Sequence, residues 1–321
     1  MTTTTRVIAA NGITLQVTEA GSADRPLLLL CHGWPELALS WRHQIAPLAE
    51  AGWRVAAPDL RGFGGSSAPA ETGAYTLLHT VGDVVALVQA LGAERAVIVG
   101  HDWGASLAWT AALLRPDLFP AVAALSVPFR PRGPAPPVRS LVEAGRTRFY
   151  WVYFQEPGVA EAEFERDPDD TLRRILGGLG TRPAEPSEVL MLPEEGGFLD
   201  LVRRPERLPD WLPEADLSAM VAAYRRTGFR GGLNWYRNID RNWELLAPWQ
   251  GAVIRQPALF VAGTRDPVIL SSFGRLALEA MPRTVPGLRR SLLIEGAGHW
   301  IQQERPAEVT TALLDFLRGL G

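Results

Sequence analysis

Residues Gly100-His101-Asp102-Trp103-Gly104 put one carboxylate at the centre of a glycine-bracketed turn. An apolar run, Arg95 to Val99, precedes the turn, and a helix-forming stretch, Ala105 to Leu114, follows it. Strand, tight turn and helix make up the layout of a nucleophile elbow, in which glycines allow a sharp reversal and close chain approach. A carboxylate there, with a reference pKa of about 4, is ionised at neutral pH without help from a base. Attack on an acyl carbon would give an anhydride, whereas displacement at a saturated carbon gives an ordinary ester. Such a site therefore implies epoxides or alkyl halides as its electrophiles. Taken alone, Asp102 could equally cap the helix that follows it.

An ester intermediate needs a base to hydrolyse it. Apart from His101 in the elbow itself, His299 alone of the five histidines lies in a loop marked by two glycines, Gly296-Ala297-Gly298-His299-Trp300, at a predicted strand end. His43 and His79 fall on predicted helices, and His32 and His101 adjoin motif loops that they are expected to hold in place. Asp266, in Gly263-Thr264-Arg265-Asp266-Pro267, follows the preceding predicted strand and could orient the imidazole. Asp-Pro is also a common turn pair. The order nucleophile, acid, histidine is the one elbow hydrolases use. His32-Gly33-Trp34-Pro35 follows an earlier apolar run, so the Trp34 and Trp103 backbone N–H groups could together form an oxyanion hole.

These loops require a sheet to carry them. Asn11-Gly12 between Val7–Ala10 and Ile13–Thr18 predicts a hairpin. Leu27–Cys31, Val55–Ala57, Ala96–Val99, Val122–Val127, Leu259–Ala262 and Leu292–Ile294 are short, apolar and β-rich, as strands buried on both faces are. Helical periodicity covers Leu77–Leu91 (Gly82 its weak point), Ala105–Leu114 and Ala307–Leu317. Such alternation predicts an α/β chain with a mostly parallel, doubly wound sheet. It breaks near Pro128. The proline-rich stretch Pro131-Arg132-Gly133-Pro134-Ala135-Pro136-Pro137 reads as a stiff hinge. Aromatic, amphipathic segments follow, among them Ser140–Phe154 and Ser218–Arg226. The expected organisation is a core of residues 1–128 and 257–321, with a helical cap at 129–256 over the carboxyl edge of the sheet.

With 321 residues, 47% of them hydrophobic, the chain has ample material for one large core, and a net charge of −3 gives no sign of nucleic-acid binding. A single cysteine, Cys31, excludes an internal disulfide or a cysteine-built metal site and fits a cytoplasmic setting. No apolar window reaches membrane-spanning length, and the polar N-terminus lacks a secretory signal.

The residues resemble the α/β-hydrolase-fold epoxide hydrolases, in particular the catalytic domain of the soluble type. The resemblance rests on His32–Glu36 with Ser40-Trp41-Arg42, Asp59–Ser66, Gly100–Gly104 and Gly298–Trp300, and most specifically on Tyr153–Glu161 and Gly228–Asn238. It implies an α/β-hydrolase fold with a helical cap, opening of a small-molecule epoxide by water to a vicinal diol, and no metal or organic cofactor. It further implies two cap tyrosines directed at the epoxide oxygen. One maps to Tyr236; the other is assigned to Tyr150, with Tyr153 one helical turn away as the alternative. Trp34, Pro35, Trp103 and Trp235 are expected to contact substrate. The mammalian soluble type carries a further N-terminal phosphatase domain, and the sequence resembles only the hydrolase half. A haloalkane or haloacid dehalogenase would share the Asp elbow, and Trp103 stands where such enzymes keep a halide-holding Trp. Trp34, where many of them have Asn, and Tyr236 weigh the other way. A non-catalytic protein binding a small apolar ligand is the third reading.

Overall fold

In the computed structural model, which describes residues 2–179 and 189–320, Asn11 and Gly12 both take positive φ (51° and 76°). That backbone matches the twist of a two-residue hairpin, and it joins β1 (Thr4–Ala10) to β2 (Ile13–Ala20). Six more strands follow: β3 (Leu27–Cys31), β4 (Arg54–Pro58), β5 (Ala96–His101), β6 (Val122–Leu125), β7 (Ala258–Gly263) and β8 (Leu288–Ile294). They form one eight-stranded sheet in the order β1-β2-β4-β3-β5-β6-β7-β8. The pairs β1·β2 and β2·β4 are antiparallel, and every other pair is parallel.

Strands β3 to β7 are buried along their whole lengths, as their unbroken apolar runs require. The two-residue period sends Leu27, Leu29 and Cys31 into one apolar layer and Leu28 and Leu30 into the other. Helices Leu77–Ala90 and Trp103–Leu114 cover the first layer, and Arg42–Glu50 and Pro306–Arg318 the second. From β3 the chain winds outward to β4, then returns across β3 to β5 and continues the opposite way. The crevice at the carboxyl ends of β3 and β5 is thus the topological switch point, where open α/β sheets bind ligands.

Between β6 and β7 the described chain is helical, with a single isolated bridge, Phe149 to Met191. Phe154, Phe164, Phe198, Phe229 and Trp235 from this stretch pack into the same apolar cluster as the Trp103–Leu114 helix. Residues 180–188 of the expected cap lie outside the described residues. No described helix is long and apolar enough to cross a membrane.

The amphipathic stretch Ser140–Phe154 spans two helices, Pro137–Glu143 and Tyr150–Tyr153, separated by a turn at Gly145 (φ 71°). Two strand expectations change. β6 stops at Leu125 because Ser126 takes φ 68°. β8 starts at Leu288, earlier than its apolar run, because as an edge strand it leaves Arg289, Arg290 and Ser291 exposed. Gly82 has a tertiary reason: an added Cβ would lie 2.7 Å from Asn11 Nδ2, which donates to the His79 carbonyl and to Asp83.

Candidate active site

Asp102 closes β5 with φ 52° and ψ −117°, a conformation that costs a non-glycine residue about 1–3 kcal/mol. It occupies the N-cap position of the Trp103–Leu114 helix, yet its side chain makes no bond to that helix. The reversed backbone turns the carboxylate toward the loop after β3, where Oδ1 accepts the Trp34 N–H at 2.9 Å. The capping reading is thereby set aside. Close packing permits the turn only with glycine on either side. A Cβ on Gly100 would lie 1.9 Å from the Gly104 carbonyl oxygen, and one on Gly104 would lie 2.1 Å from the Cys31 carbonyl oxygen. Trp103 is the first residue of the helix, so its N–H has no intrahelical acceptor.

The loops after β7 and β8 bring the other two groups. His299 Nδ1–H donates to Asp266 Oδ1 at 2.9 Å, and Nε2 stands 3.6 Å from Asp102 Oδ2. Asp266 also accepts the Val268 N–H at 2.8 Å, so it is both the turn-former of Asp-Pro and the partner of the imidazole. Three residues scattered over 197 positions of sequence thus meet in one row. Burial alone would lower the His299 pKa, but Asp266 and Asp102 overcome it and hold it well above the ordinary value. Burial would likewise raise the Asp102 pKa. The paired His299, with the Trp34 N–H, brings it below the usual range.

A second buried network holds the histidine loop. The His299 carbonyl accepts from Ser126 Oγ at 2.9 Å and from His101 Nε2 at 2.8 Å. His101 Nδ1 meets Glu36 Oε2 at 2.6 Å, and Glu36 Oε1 accepts from the Gln302 and Gln303 amides, each at 2.8 Å. Glu36 is fully buried; burial pushes its pKa up, and the neighbouring His101, by charge and by hydrogen bond, more than reverses this. His32 holds its own loop as a neutral ring, donating from Nδ1 to the Gly33 carbonyl and accepting the Leu60 N–H at Nε2. Sequence reading gave Glu36 no role of its own. Its only local signal was a carboxylate set directly after an apolar strand and a tight loop.

Above Asp102 lies a cavity of about 230 Å³, lined by Trp103, Trp109, Tyr150, Trp151 and Tyr236 among other mostly apolar residues. Asp102 is its only carboxylate among the described residues. The Tyr150 and Tyr236 rings sit 5.7 Å apart. Burial first, and the Asp102 charge second, raise both phenols well above the ordinary tyrosine value, so they stay protonated. Tyr153 faces away from this cavity and donates to Glu163 Oε2 at 2.8 Å.

Of the four expected substrate contacts, Trp103 lines the cavity, and Trp34, Pro35 and Trp235 do not. The Trp235 indole is satisfied by the Arg61 carbonyl at 3.1 Å, and its ring packs edge-on against Phe63 and Trp103. It buttresses the wall rather than forming it. The Trp34 ring is buried against Phe154, Phe164, Phe198 and Tyr236, leaving its backbone N–H as the part that faces Asp102.

A family model described as the alpha/beta hydrolase fold matches residues 26–306. Epoxide hydrolase A of Mycobacterium tuberculosis is 50% identical over 99% of this chain and 98% of its own length. Bifunctional epoxide hydrolase 2 of Sus scrofa is 38% identical over 97% of this chain but only 54% of its own length. The crystal structure of Epoxide Hydrolase A from Mycobacterium thermoresistibile has a TM-score of 0.94 at 49% identity, covering 100% of this chain and 99% of that one. With sequence, fold and site geometry in agreement, the chain belongs to the α/β-hydrolase-fold epoxide hydrolases.

Proposed function

We propose that Asp102 opens an epoxide by forming a covalent ester, which His299 then hydrolyses to release a vicinal diol. One observation carries this reading: an ionised carboxylate that makes no cap bond faces a mostly apolar cavity beneath two protonated phenols, with a carboxylate-paired histidine 3.6 Å from it. In the first half-reaction an Asp102 oxygen attacks a ring carbon, the C–O bond breaks, and the oxygen takes a proton from Tyr150 or Tyr236. A departing alkoxide needs that proton, and general-acid help is worth about 10²–10⁴-fold. A halide would need none, so the phenol pair favours an epoxide over an alkyl halide.

The histidine's charge follows from the same geometry. In the resting site two carboxylates hold His299 protonated. Esterification cancels the Asp102 charge and removes one of them, so the imidazolium yields its proton, replacing the one the phenol gave. Neutral His299, oriented by Asp266, then takes a proton from water as the water oxygen adds to the ester carbonyl carbon. The Trp34 and Trp103 N–H groups stabilise the oxyanion. Collapse expels the diol oxygen, which takes the hydroxyl proton of the intermediate. The Asp102 carboxylate and the His299 imidazolium are regenerated. On this reading residues 129–256 act as a cap that supplies the acids and excludes water.

A single turnover in heavy-oxygen water, with enzyme in excess, tests the scheme. The label should enter the Asp102 carboxylate and be absent from the diol. Label found directly in the diol would mean that water attacks the epoxide without an ester.

A further inference from the structure

His299 rides on a loop without regular structure of its own, between β8 and the short helix Ile301–Glu304. Two planar peptide units of that loop are held at both ends. The Ala297 carbonyl accepts the Arg265 N–H at 2.9 Å, from the loop that carries Asp266. At the other end of the same unit, the Gly298 N–H donates to Glu304 Oε2 at 2.6 Å. The His299 carbonyl accepts from Ser126 and His101, and the Trp300 N–H at its far end donates to Glu304 Oε1 at 2.9 Å. Both N–H ends thus converge on one half-buried carboxylate, to which the reaction scheme gives no part.

Reaching back to the start of its own short helix would account for the Trp300 bond alone, since Gly298 lies before that helix. Space is kept for the carboxylate as well: a Cβ on Gly298 would lie 2.8 Å from Glu304 Oε1 and 3.1 Å from Oε2. The Glu304 N–H donates to the Trp300 carbonyl at 2.8 Å, so the backbone of Glu304 is anchored to a residue that its side chain holds. A planar peptide unit held at one end can still swing about that end; held at both, it cannot. The backbone on either side of His299 is therefore fixed, and with it the direction of the imidazole toward Asp102.

We infer that Glu304 is a positioning residue for the base: its carboxylate fixes the His299 loop so that the imidazole meets the water that hydrolyses the Asp102 ester. Glu304 does not line the cavity and acts only through that loop. Ester formation does not depend on it, because Asp102 is placed by β5 and the Trp34 N–H. Ester hydrolysis does, because a reacting group misplaced by about 1 Å costs about 10²-fold. This inference rests on the covalent reading above and adds the group that aims its second step.

The test is Glu304→Gln with styrene oxide, following the ester on Asp102 by rapid quench and mass spectrometry. Gln keeps the shape but presents one acceptor and one donor, so one loop N–H meets an N–H instead of an oxygen. Ester formation should stay within about twofold of wild type. Ester breakdown should slow by about ten- to a hundredfold, so that the ester becomes the main form of the enzyme during turnover. A merely structural role would instead lower the number of sites that take the ester and leave both rate constants as they were. That result would overturn the inference, and so would an equal fall in both rate constants. Should the Gln variant not fold, Glu304→Asp, with both acceptors on a shorter stem, should show the same split by a smaller factor. Wild type speaks to the covalent reading separately. If it forms no ester, that reading falls and the role of Glu304 with it; if it does, and the variant hydrolyses the ester at the wild-type rate, only the role of Glu304 falls.

Discussion

The floor and the roof of the cavity are built by different means. On the floor, Asp102, Asp266, His299 and the Trp34 N–H sit on loops at the carboxyl ends of β5, β7, β8 and β3, and each is tied to backbone or to a neighbouring charge. On the roof, Tyr150 and Tyr236 ride on helices of four and eight residues and are held by ring packing with Phe154, Trp34 and one another. The contrast follows from what each side must do. Charged groups need orientation to a fraction of an ångström, which hydrogen bonds to a sheet provide. On the proposed mechanism the phenols need to stay dry and protonated, which the aromatic rings around them provide. Damage to the floor should therefore abolish a step, and damage to the roof should grade it.

The sharpest break is Asp102→Ala. Diol formation should fall by at least about 10⁴-fold, and mass spectrometry should find no ester on the protein. Next, His299→Gln should slow steady turnover by about 10²–10⁴-fold while epoxide still alkylates Asp102. Ester accumulating in rapid-quench samples is the expected signature, and full multiple turnover would remove His299 from the scheme. On the roof, Tyr150→Phe and Tyr236→Phe should each cost less than the double exchange, which should slow single-turnover alkylation by about 10²–10⁴-fold. Tyr153→Phe, which loses only the Glu163 bond, serves as the control.

Smaller effects test how the floor is held. Gly104→Ala forces a methyl against the Cys31 carbonyl and should cost about 1–3 kcal/mol in urea unfolding, with the activity per folded molecule reduced. The folded His299 pKa lies above its unfolded value, so its ion pairs stabilise the fold fully below about pH 6.5, and that contribution is lost as pH rises through the folded value. Asp102→Asn should shift the His299 titration, followed by NMR, to lower pH. No shift would mean that Asp102 does not set the charge of His299.

The floor was far more legible than the roof. Glycines bracketing Asp102 and preceding His299 announced their turns, and apolar runs ending just before them announced the strands, because both signals are local. The outer strand β8 was half missed, since an edge that meets water carries Arg289 and Arg290 where a central strand carries valine. Trp235 teaches a related point: composition marks an aromatic residue as buried but does not say whether it lines a cavity or props up its wall. Glu36 had no role until His101, Gln302 and Gln303 were seen around it.

Amino-acid order by itself determined the elbow, its carboxylate, the parallel sheet and the break at Pro128, because turn conformation and side-chain periodicity are properties of neighbouring residues. Only the tertiary structure decided that Tyr150 faces the cavity while Tyr153 turns to Glu163. Those are facts about which distant segments meet. A side chain's surroundings, unlike its backbone preference, are set by contacts that close only when the helices between β6 and β7 pack against the rest of the chain.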